Sequence, residues 1–374
     1  MKSFLADTRP LRDAHFRRLW TANIVTVVGA QLTVVAVPAQ IYQLTGSSAY
    51  VGLTGIFGLV PLVVFGLWGG ALADVFDRRT LLVCTTLGLI VTSTLFWLQA
   101  WSGAGDVWLL LGLFAVQQAF FAVNQPTRSA VLPRLLPLNL LPAANSLNMT
   151  VMQAGAIGGP LIAGALIPVF GFSWLYLVDT LTLIPTLFAV LALPPLPIEG
   201  TTGSLGLEAV IDGLAYLRGQ PVLLMSFLVD IVAMVFGMPR ALFPEIAHVD
   251  FGGPESGGIA FALLFAGIPI GAVLGGVFSG WVSRVERQGV AVLASVVVWG
   301  LAMTGFGLAV ALADRWQWPM LAAADVAHGA VAVSIGAAAT AAGGGLLVVI
   351  ATVLLAVAFP AFVRYRVTAA APRH

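Results

Sequence analysis

The sequence predicts an all-α polytopic membrane protein made of two fused helical bundles. Three observations carry that prediction. Charged residues are 9% of the 374-residue chain and hydrophobic residues 59%, whereas about a quarter of an average soluble domain is charged. Seventeen basic and sixteen acidic side chains are too few to face water over a soluble surface of this size. The apolar residues also fall in runs near the roughly 20 residues that a hydrocarbon core of about 30 Å requires, and the mean hydropathy is +1.00. Finally, the segment from Gly69-Gly70-Ala71 to Arg78 aligns with Gly275-Gly276-Val277 to Arg284, 206 residues later. Same-direction repeats of this kind are found in transporters built from two parallel halves.

In order along the chain, apolar runs lie at 19–43, 49–72, 80–100, 107–124, 146–168, 172–193, 221–243, 258–282, 289–313, 319–341 and 343–363. The first follows Arg12, Arg17 and Arg18 but is too long for a signal-peptide core, so it reads as a retained helix. Forty-one glycines and 21 prolines suit membrane helices, where small residues permit close approach and freed backbone groups find partners on neighbours. Connections at 44–48, 101–106 and 169–171 are short, and those at 125–145 and 194–220 longer. The stretch 194–220 is the least hydrophobic long segment and reads as a cytoplasmic linker with a short amphipathic helix. The expected domains are therefore a six-helix bundle at 1–193, the linker, and a second bundle at 221–374.

Orientation follows from the basic residues. With the N-terminus in the cytoplasm, the inner segments hold Lys2, Arg9, Arg12, Arg17, Arg18, Arg78, Arg79, Arg128, Arg134, Arg218, Arg284 and Arg287, against Arg240 and Arg315 outside. That asymmetry fits the positive-inside rule. Trp101, Trp108, Trp174, Trp316 and Trp318 fall near the outer boundaries, where indoles prefer to sit. Cys84 is the only cysteine, so no intrachain disulfide forms. The net charge of +1 and the lack of a basic, aromatic-interleaved patch give no reason to expect nucleic acid. His15, His248, His328 and His374 are scattered without metal-ligand spacing, and there is no nucleotide loop. An enzyme, a metal site and a cofactor are not expected.

Several motifs resemble the major facilitator superfamily, in its branch of enterobactin-exporter-like and drug-efflux proteins. They are Gly69-Gly70-Ala71-Leu72-Ala73-Asp74-Val75-Phe76-Asp77-Arg78-Arg79, which resembles the loop signature between helices two and three, and Val37-Pro38-Ala39-Gln40-Ile41-Tyr42-Gln43-Leu44-Thr45 at the end of helix one. Leu242-Phe243-Pro244-Glu245 and Ser279-Gly280-Trp281 are similar to that branch, and the stretch Gly155 to Gly164 is similar to the fifth-helix motif of drug–proton antiporters. The resemblance implies a two-bundle fold with alternating access and export of a small organic molecule, a siderophore or a hydrophobic drug.

The same residues can be read for their chemistry. Asp74 is a capping-type acceptor, and Arg78 and Arg79 can hold loop carboxylates or lipid phosphates. The resemblance implies that this loop, with Gly70, Asp74, Asp77, Arg78 and Arg79, stabilises one access state; a plain positive-inside anchor is the other reading. Gly155, Gly159, Pro160 and Gly164 give helix five a thin face with a backbone weakness. The resemblance implies a helix that bends during the cycle; ordinary close packing is the alternative. Asp230 in the middle of span seven and Asp179 about two turns into span six are acids at a depth where charge is costly. Desolvation disfavours a charged carboxylate, which suits a group that loads and releases a proton. Asp230 is the first proton-coupling candidate and Asp179 the second, each with a structural hydrogen-bonding role as the alternative. Asn23, Gln31, Gln117, Gln118, Asn148 and Gln153 are candidates to line a cavity or to bond between helices. Helix four lacks the early arginine usual in generic drug antiporters, with Ala115, Val116, Gln117 and Gln118 there instead.

Arg364, Arg366 and Arg373 place the C-terminus inside, which needs an even number of spans, whereas hydropathy gives eleven runs. The resemblance implies twelve helices and a jump near 325–328 that removes a cytoplasmic loop with its flanking half-helices. The second bundle is then incomplete, with 10–11 spans in the whole chain rather than 12. The expected function is a monomeric secondary exporter in a bacterial cytoplasmic membrane, with a small-molecule substrate, the lipid bilayer around it and protons as coupling ion. The alternative is a shortened, non-transporting paralogue or remnant.

Overall fold

The computed structural model describes residues 7–194, 215, 217–236, 240–255, 257–277, 287–311 and 337–358. No strand occurs among them. The described residues fall into two compact units: those up to 194 with Gly253–Ala262, and those within 211–252 with those from Leu263 onward.

Local chemistry sets the helix ends of the first unit. Helix α1 (Ala14–Thr45) starts where the Asp13 carboxylate accepts the Phe16 amide at 2.8 Å, a side-chain cap for an otherwise orphan donor. It stops at Gly46, whose φ of 61° is natural only for glycine. Helix α2 spans Ser48–Val75 and α3 spans Arg78–Ser102. The α3 cap is Asp77, which accepts from the Thr80 amide and hydroxyl, both at 3.0 Å. Asp74 lies in the last turn of α2; its side chain and that of Gly70 lie outside the described residues.

Helix α4 covers Val107–Leu135, with Asp106 accepting from the Trp108 and Leu109 amides at 2.8 and 3.3 Å. It continues eleven residues beyond the apolar run that ends at 124. The long connection expected at 125–145 therefore shrinks to 136–140. Pro126 and Pro133 lie inside the helix without ending it. Helix α5 (Leu141–Leu191) is broken once, at Gly171 with φ 75° and ψ 175°, so the expected connection at 169–171 is a single-residue break between arms 141–170 and 172–191. Helix α5 packs on α1 and α3, and α4 packs on α2 and α3. The buried middle is formed by Val35, Val37 and Ile41 of α1, Phe96 of α3 and Tyr176 of α5. Outward-facing residues of α2 such as Ile56, Val60, Val63 and Trp68 are exposed and apolar, the composition of a lipid-facing surface. Six helical stretches among the described residues are long and apolar enough to cross a membrane.

The later helices are α6 (Pro221–Phe236), α7 (Ile259–Val277), α8 (Gln288–Ala311) and α9 (Ala337–Ala358). Between α6 and α7, Phe243–Glu245 forms a helical turn that runs into a π-helical turn, Ile246–Asp250. In the second unit α9 packs on α8 and α6, around a core of Met225, Val229 and Leu293. Helices α8 and α9 cross closely at Gly300 and Gly345, where a methyl group on either would meet the other's carbonyl oxygen. Among the described residues, four long helices follow residue 220, against the six helical arms of 14–191. Most of the 194–220 linker, the second copy of the repeat beyond Val277, and the expected jump at 325–328 lie outside the described residues.

Candidate functional site

One face of α1 carries polar residues at Thr26, Thr33 and Gln40, seven residues apart, with Asn23 one turn before. Seven residues are about two helical turns, so these side chains share a stripe. The second arm of α5 runs antiparallel to α1 and meets the stripe rung by rung. The hydroxyls of Thr26 and Thr186 lie 2.6 Å apart. Thr33 Oγ1 donates to Asp179 Oδ2 at 2.7 Å. The Tyr176 hydroxyl donates to Gln40 Oε1 at 2.8 Å, and its ring stacks on Phe96 with centroids 5.1 Å apart.

Asp179 is the centre of this ladder and is 1% exposed. Its Oδ2 also accepts from Ser93 Oγ of α3 at 2.8 Å, and Gln117 Nε2 of α4 donates to the same Ser93 oxygen at 3.4 Å. Four helical arms thus converge on one carboxyl. Gly29 makes room for it, since a methyl there would overlap Thr182 Oγ1 and sit 3.0 Å from the Asp179 Cα. Both partners of Asp179 are neutral hydroxyls, and the one ion pair among the described residues is the exposed Asp7–Arg9 contact. This arrangement satisfies either protonation state. As a carboxylate Asp179 accepts from both hydroxyls, and as an acid it donates to one that has turned.

The half of the unit nearer the start of α1 holds further rungs. Asn124 of α4 donates to Thr85 Oγ1 at 2.8 Å, and Arg128 Nη1 donates to Asn23 Oδ1. Toward the other end, Gln40 Nε2 donates to Gln99 Oε1 at 3.1 Å, and Gln99 Nε2 to the Ala104 carbonyl at 2.5 Å. Of the amides expected to line a cavity, Asn23 and Gln117 join the ladder. Gln31 and Gln118 are half-buried elsewhere, against Gly159 and beside Gly58. Asn148 and Gln153 are also half-buried, and the structure does not bring them to Asp179. A groove of about 470 Å³ between the start of α1 and the end of the second arm, lined by Arg18, Val25, Pro185 and Phe188, contains none of the ladder's bonded side chains.

The helix-five motif is a packing face: Gly155 lies against Val27, Gly159 against Gln31, and Gly164 accepts the Gly258 amide through its carbonyl at 3.1 Å. Pro160 is buried within the helix. In the first turn of α3, Arg79 Nη2 donates to the Leu191 carbonyl at the C-terminus of α5 at 2.7 Å, while Asp77 caps α3. The backbone of Asp230 is in α6, and its side chain lies outside the described residues. Sequence reasoning missed Thr33, Ser93 and Tyr176 as partners, although the seven-residue spacing on α1 was a signal for the stripe. It also placed Arg128 in a loop.

Comparison with known families settles what kind of fold presents this ladder. Residues 5–342 match the family model described as Transmembrane secretion effector (MFS_3). The chain belongs to the transmembrane secretion effector family. Its relatives include "Enterobactin exporter EntS" of Shigella dysenteriae serotype 1, 28% identical over 305 residues, which are 78% of this chain and 70% of the relative. Among solved structures, nucleoside transporter NupG matches with a TM-score of 0.62 at 12% identity, over 94% of this chain and all of that one. A bacterial homologue of the human lysosomal transporter Spinster matches with a TM-score of 0.58 at 17% identity, over 93% of this chain and 80% of that one. These likenesses show the major-facilitator-type fold of the secretion effector family, and the chain is a multi-pass membrane protein of that transporter superfamily.

Proposed function

We propose that this chain exports a small organic molecule by proton antiport with alternating access, and that Asp179 carries the coupled proton. The observation that supports this reading is the buried Asp179 carboxyl held by Thr33 and Ser93 at 2.7 and 2.8 Å, with no cation beside it among the described residues. An acid at this depth is functional by default. Hydroxyl partners let it gain and lose a proton without leaving a buried charge that needs a fixed counterion. Gln117 ties the same serine to a half-buried amide on α4, so a substrate competing for that amide would also act on the acid. Asp230 of α6 is a second proposed proton site.

The named relative exports enterobactin, which favours a siderophore over a general hydrophobic drug. The excess of arginines in the segments read as inner supports a bacterial cytoplasmic membrane with the N-terminus inside. The loop at Gly70, Asp74, Asp77, Arg78 and Arg79 is proposed to hold one access state, and the Gly155–Gly164 stretch to flex with the cycle.

Proteoliposomes test the reading. Wild-type protein and Asp179→Asn are reconstituted at equal density, and efflux of a trapped siderophore or dye is followed with and without an imposed pH gradient. Gradient-driven efflux that Asp179→Asn abolishes supports the reading. Efflux that survives in Asp179→Asn and fails in Asp230→Asn moves the proton to α6. No gradient-driven efflux by wild type favours the shortened, non-transporting alternative.

A further inference from the structure

Arg128 is the buried charge that proton coupling leaves unused. It lies in the inner part of α4, one turn beyond Asn124 and next to the fully buried Thr127. A guanidinium has five N–H donors. Here Nη1 donates to the neutral Asn23 Oδ1, and Nε is sealed from solvent without a hydrogen-bond partner. The residue as a whole is only half-buried, so part of the fork stays accessible. A cation inside a membrane bundle costs free energy unless something anionic pairs with it.

The nearest structural answer would be an internal salt bridge, and among the described residues Arg128 makes none. Asp179 bonds to Thr33 on α1, while Arg128 bonds to Asn23, ten residues earlier on the same helix. That offset is about 15 Å along the helix axis. The unit therefore keeps an acid and a base apart, each held by neutral groups. Asn23 holds the guanidinium through Nη1 and Nε is sealed, which leaves Nη2 as the donor nitrogen through which a carboxylate or phosphate oxygen can make a charge-assisted hydrogen bond.

We infer that Arg128, oriented by Asn23, is a binding site for a planar or tetrahedral oxyanion: the carboxylate of a transported solute, or the phosphate of a lipid. The solute case names the substrate class of the proposed exporter as organic anions and rests on that reading. Lysine at this position supplies the charge without the fork, and glutamine supplies neither.

The test uses the full chain in nanodiscs and needs no transport. Salicylate and its neutral analogue salicylamide are titrated calorimetrically into wild type, Arg128→Gln and Arg128→Lys in phosphatidylcholine discs. Salicylate is expected to bind wild type while salicylamide does not. Arg128→Gln is expected to weaken salicylate by about ten- to a hundredfold, the range for losing hydrogen bonds to a charged group, with Arg128→Lys in between. If Arg128→Gln does not fold, the wild type to Arg128→Lys ratio decides. A second set of discs contains phosphatidylglycerol. Salicylate binding that disappears there, with a melting shift in wild type that Arg128→Gln lacks, identifies the phosphate of a net-anionic lipid headgroup as the occupant. Binding of salicylate equal in wild type and Arg128→Gln overturns the inference. So does equal binding of salicylate and salicylamide, or the absence of both salicylate binding and any phosphatidylglycerol effect. Anion binding without gradient-driven efflux would leave this site standing and remove the exporter reading; efflux without anion binding would do the reverse.

Discussion

Thr33 and Asp179 are 146 residues apart in the chain and meet through a 2.7 Å hydrogen bond in the interior of the first unit. The contact joins α1 to the second arm of α5, and Ser93 of α3 completes it on the same carboxyl oxygen. Because one atom accepts both bonds, the two hydroxyls cannot act independently.

Thr33→Val and Ser93→Ala should each lower stability, by about 0.6–2 kcal/mol for an interhelical bond in a membrane. The double variant should depart from the sum by at least about 0.5 kcal/mol, as residues sharing a partner do. Melting of the detergent-solubilised protein measures this cycle. Additive losses would show that the two hydroxyls do not share Asp179.

Gly29→Ala should destabilise the protein by about 1–3 kcal/mol, the usual cost of forcing an extra methyl into a packed interior. Its Cβ would meet the Asp179 Cα at 3.0 Å, and that is backbone, which cannot rotate away. Gly158→Ala is the control, because nothing lies within 4 Å of a methyl there. Melting curves showing equal effects for the two would mean that α1 and α5 are not in close contact at Gly29.

Much of this was legible in the sequence. The apolar runs placed α1, α2 and α3 because hydrophobic length is a local property, and glycine or aspartate marks several of their ends. The boundary at 124 failed because Asn124-Gln125-Pro126 reads as a loop by polarity. In the structure Asn124 bonds Thr85 across the helix interface, so its polarity is satisfied inside the bundle and α4 continues. The same boundary put Arg128 in a connection, whereas it lies within α4. Asp179 was visible as an acid in an apolar run, but its partners were not, since threonine and serine are common in membrane helices and only the antiparallel packing of α1 and α5 selects Thr33.

Tyr176→Phe should keep the stack on Phe96 and lose the hydroxyl that donates to Gln40. Gln40 Oε1 is then left without that donor in a buried site, at a cost of about 1–3 kcal/mol. Thermal melts of Tyr176→Phe, Gln40→Leu and the double variant separate the terms. Removing both polar partners should cost less than the sum, and a strictly additive result would rule out the 2.8 Å bond as a coupled contact.

Asp7 gives a pH prediction outside the membrane segments. The Arg9 side chain donates to both of its oxygens, at 2.6 to 2.9 Å, and holds its carboxyl below the ordinary value. A carboxyl depressed on folding contributes stability above its unfolded value, and that contribution is lost as pH falls through the folded one. Any benefit is therefore complete at neutral pH and absent in strong acid. The pair is exposed, so solvent screening leaves little of it. Arg9→Ala should melt like wild type at pH 7 and at pH 3. A loss at pH 7 that vanishes at pH 3 would show the pair to be stabilising after all.

Gly171 separates conformation from packing. It divides α5 into the arm that carries the glycine motif and the arm that carries Asp179, with φ 75° and ψ 175°. A side chain there meets nothing within 4 Å, so sterics with neighbours cannot decide the effect of a substitution. Backbone strain decides it, because this region is essentially restricted to glycine, and the cost is about 1–3 kcal/mol. Gly171→Ala should therefore destabilise the fold despite the open space. The strain has a second consequence: an alanine favours a return to helical φ, which would straighten α5 and pull Asp179 out of register with Thr33 and Ser93. Paired melting and efflux measurements distinguish the two effects. A lower melting point with normal efflux means the break is strained but preserved, whereas lost efflux at a near-normal melting point means that the chain has relaxed and taken the carboxyl with it. Wild-type behaviour in both would show that Gly171 does not set the break.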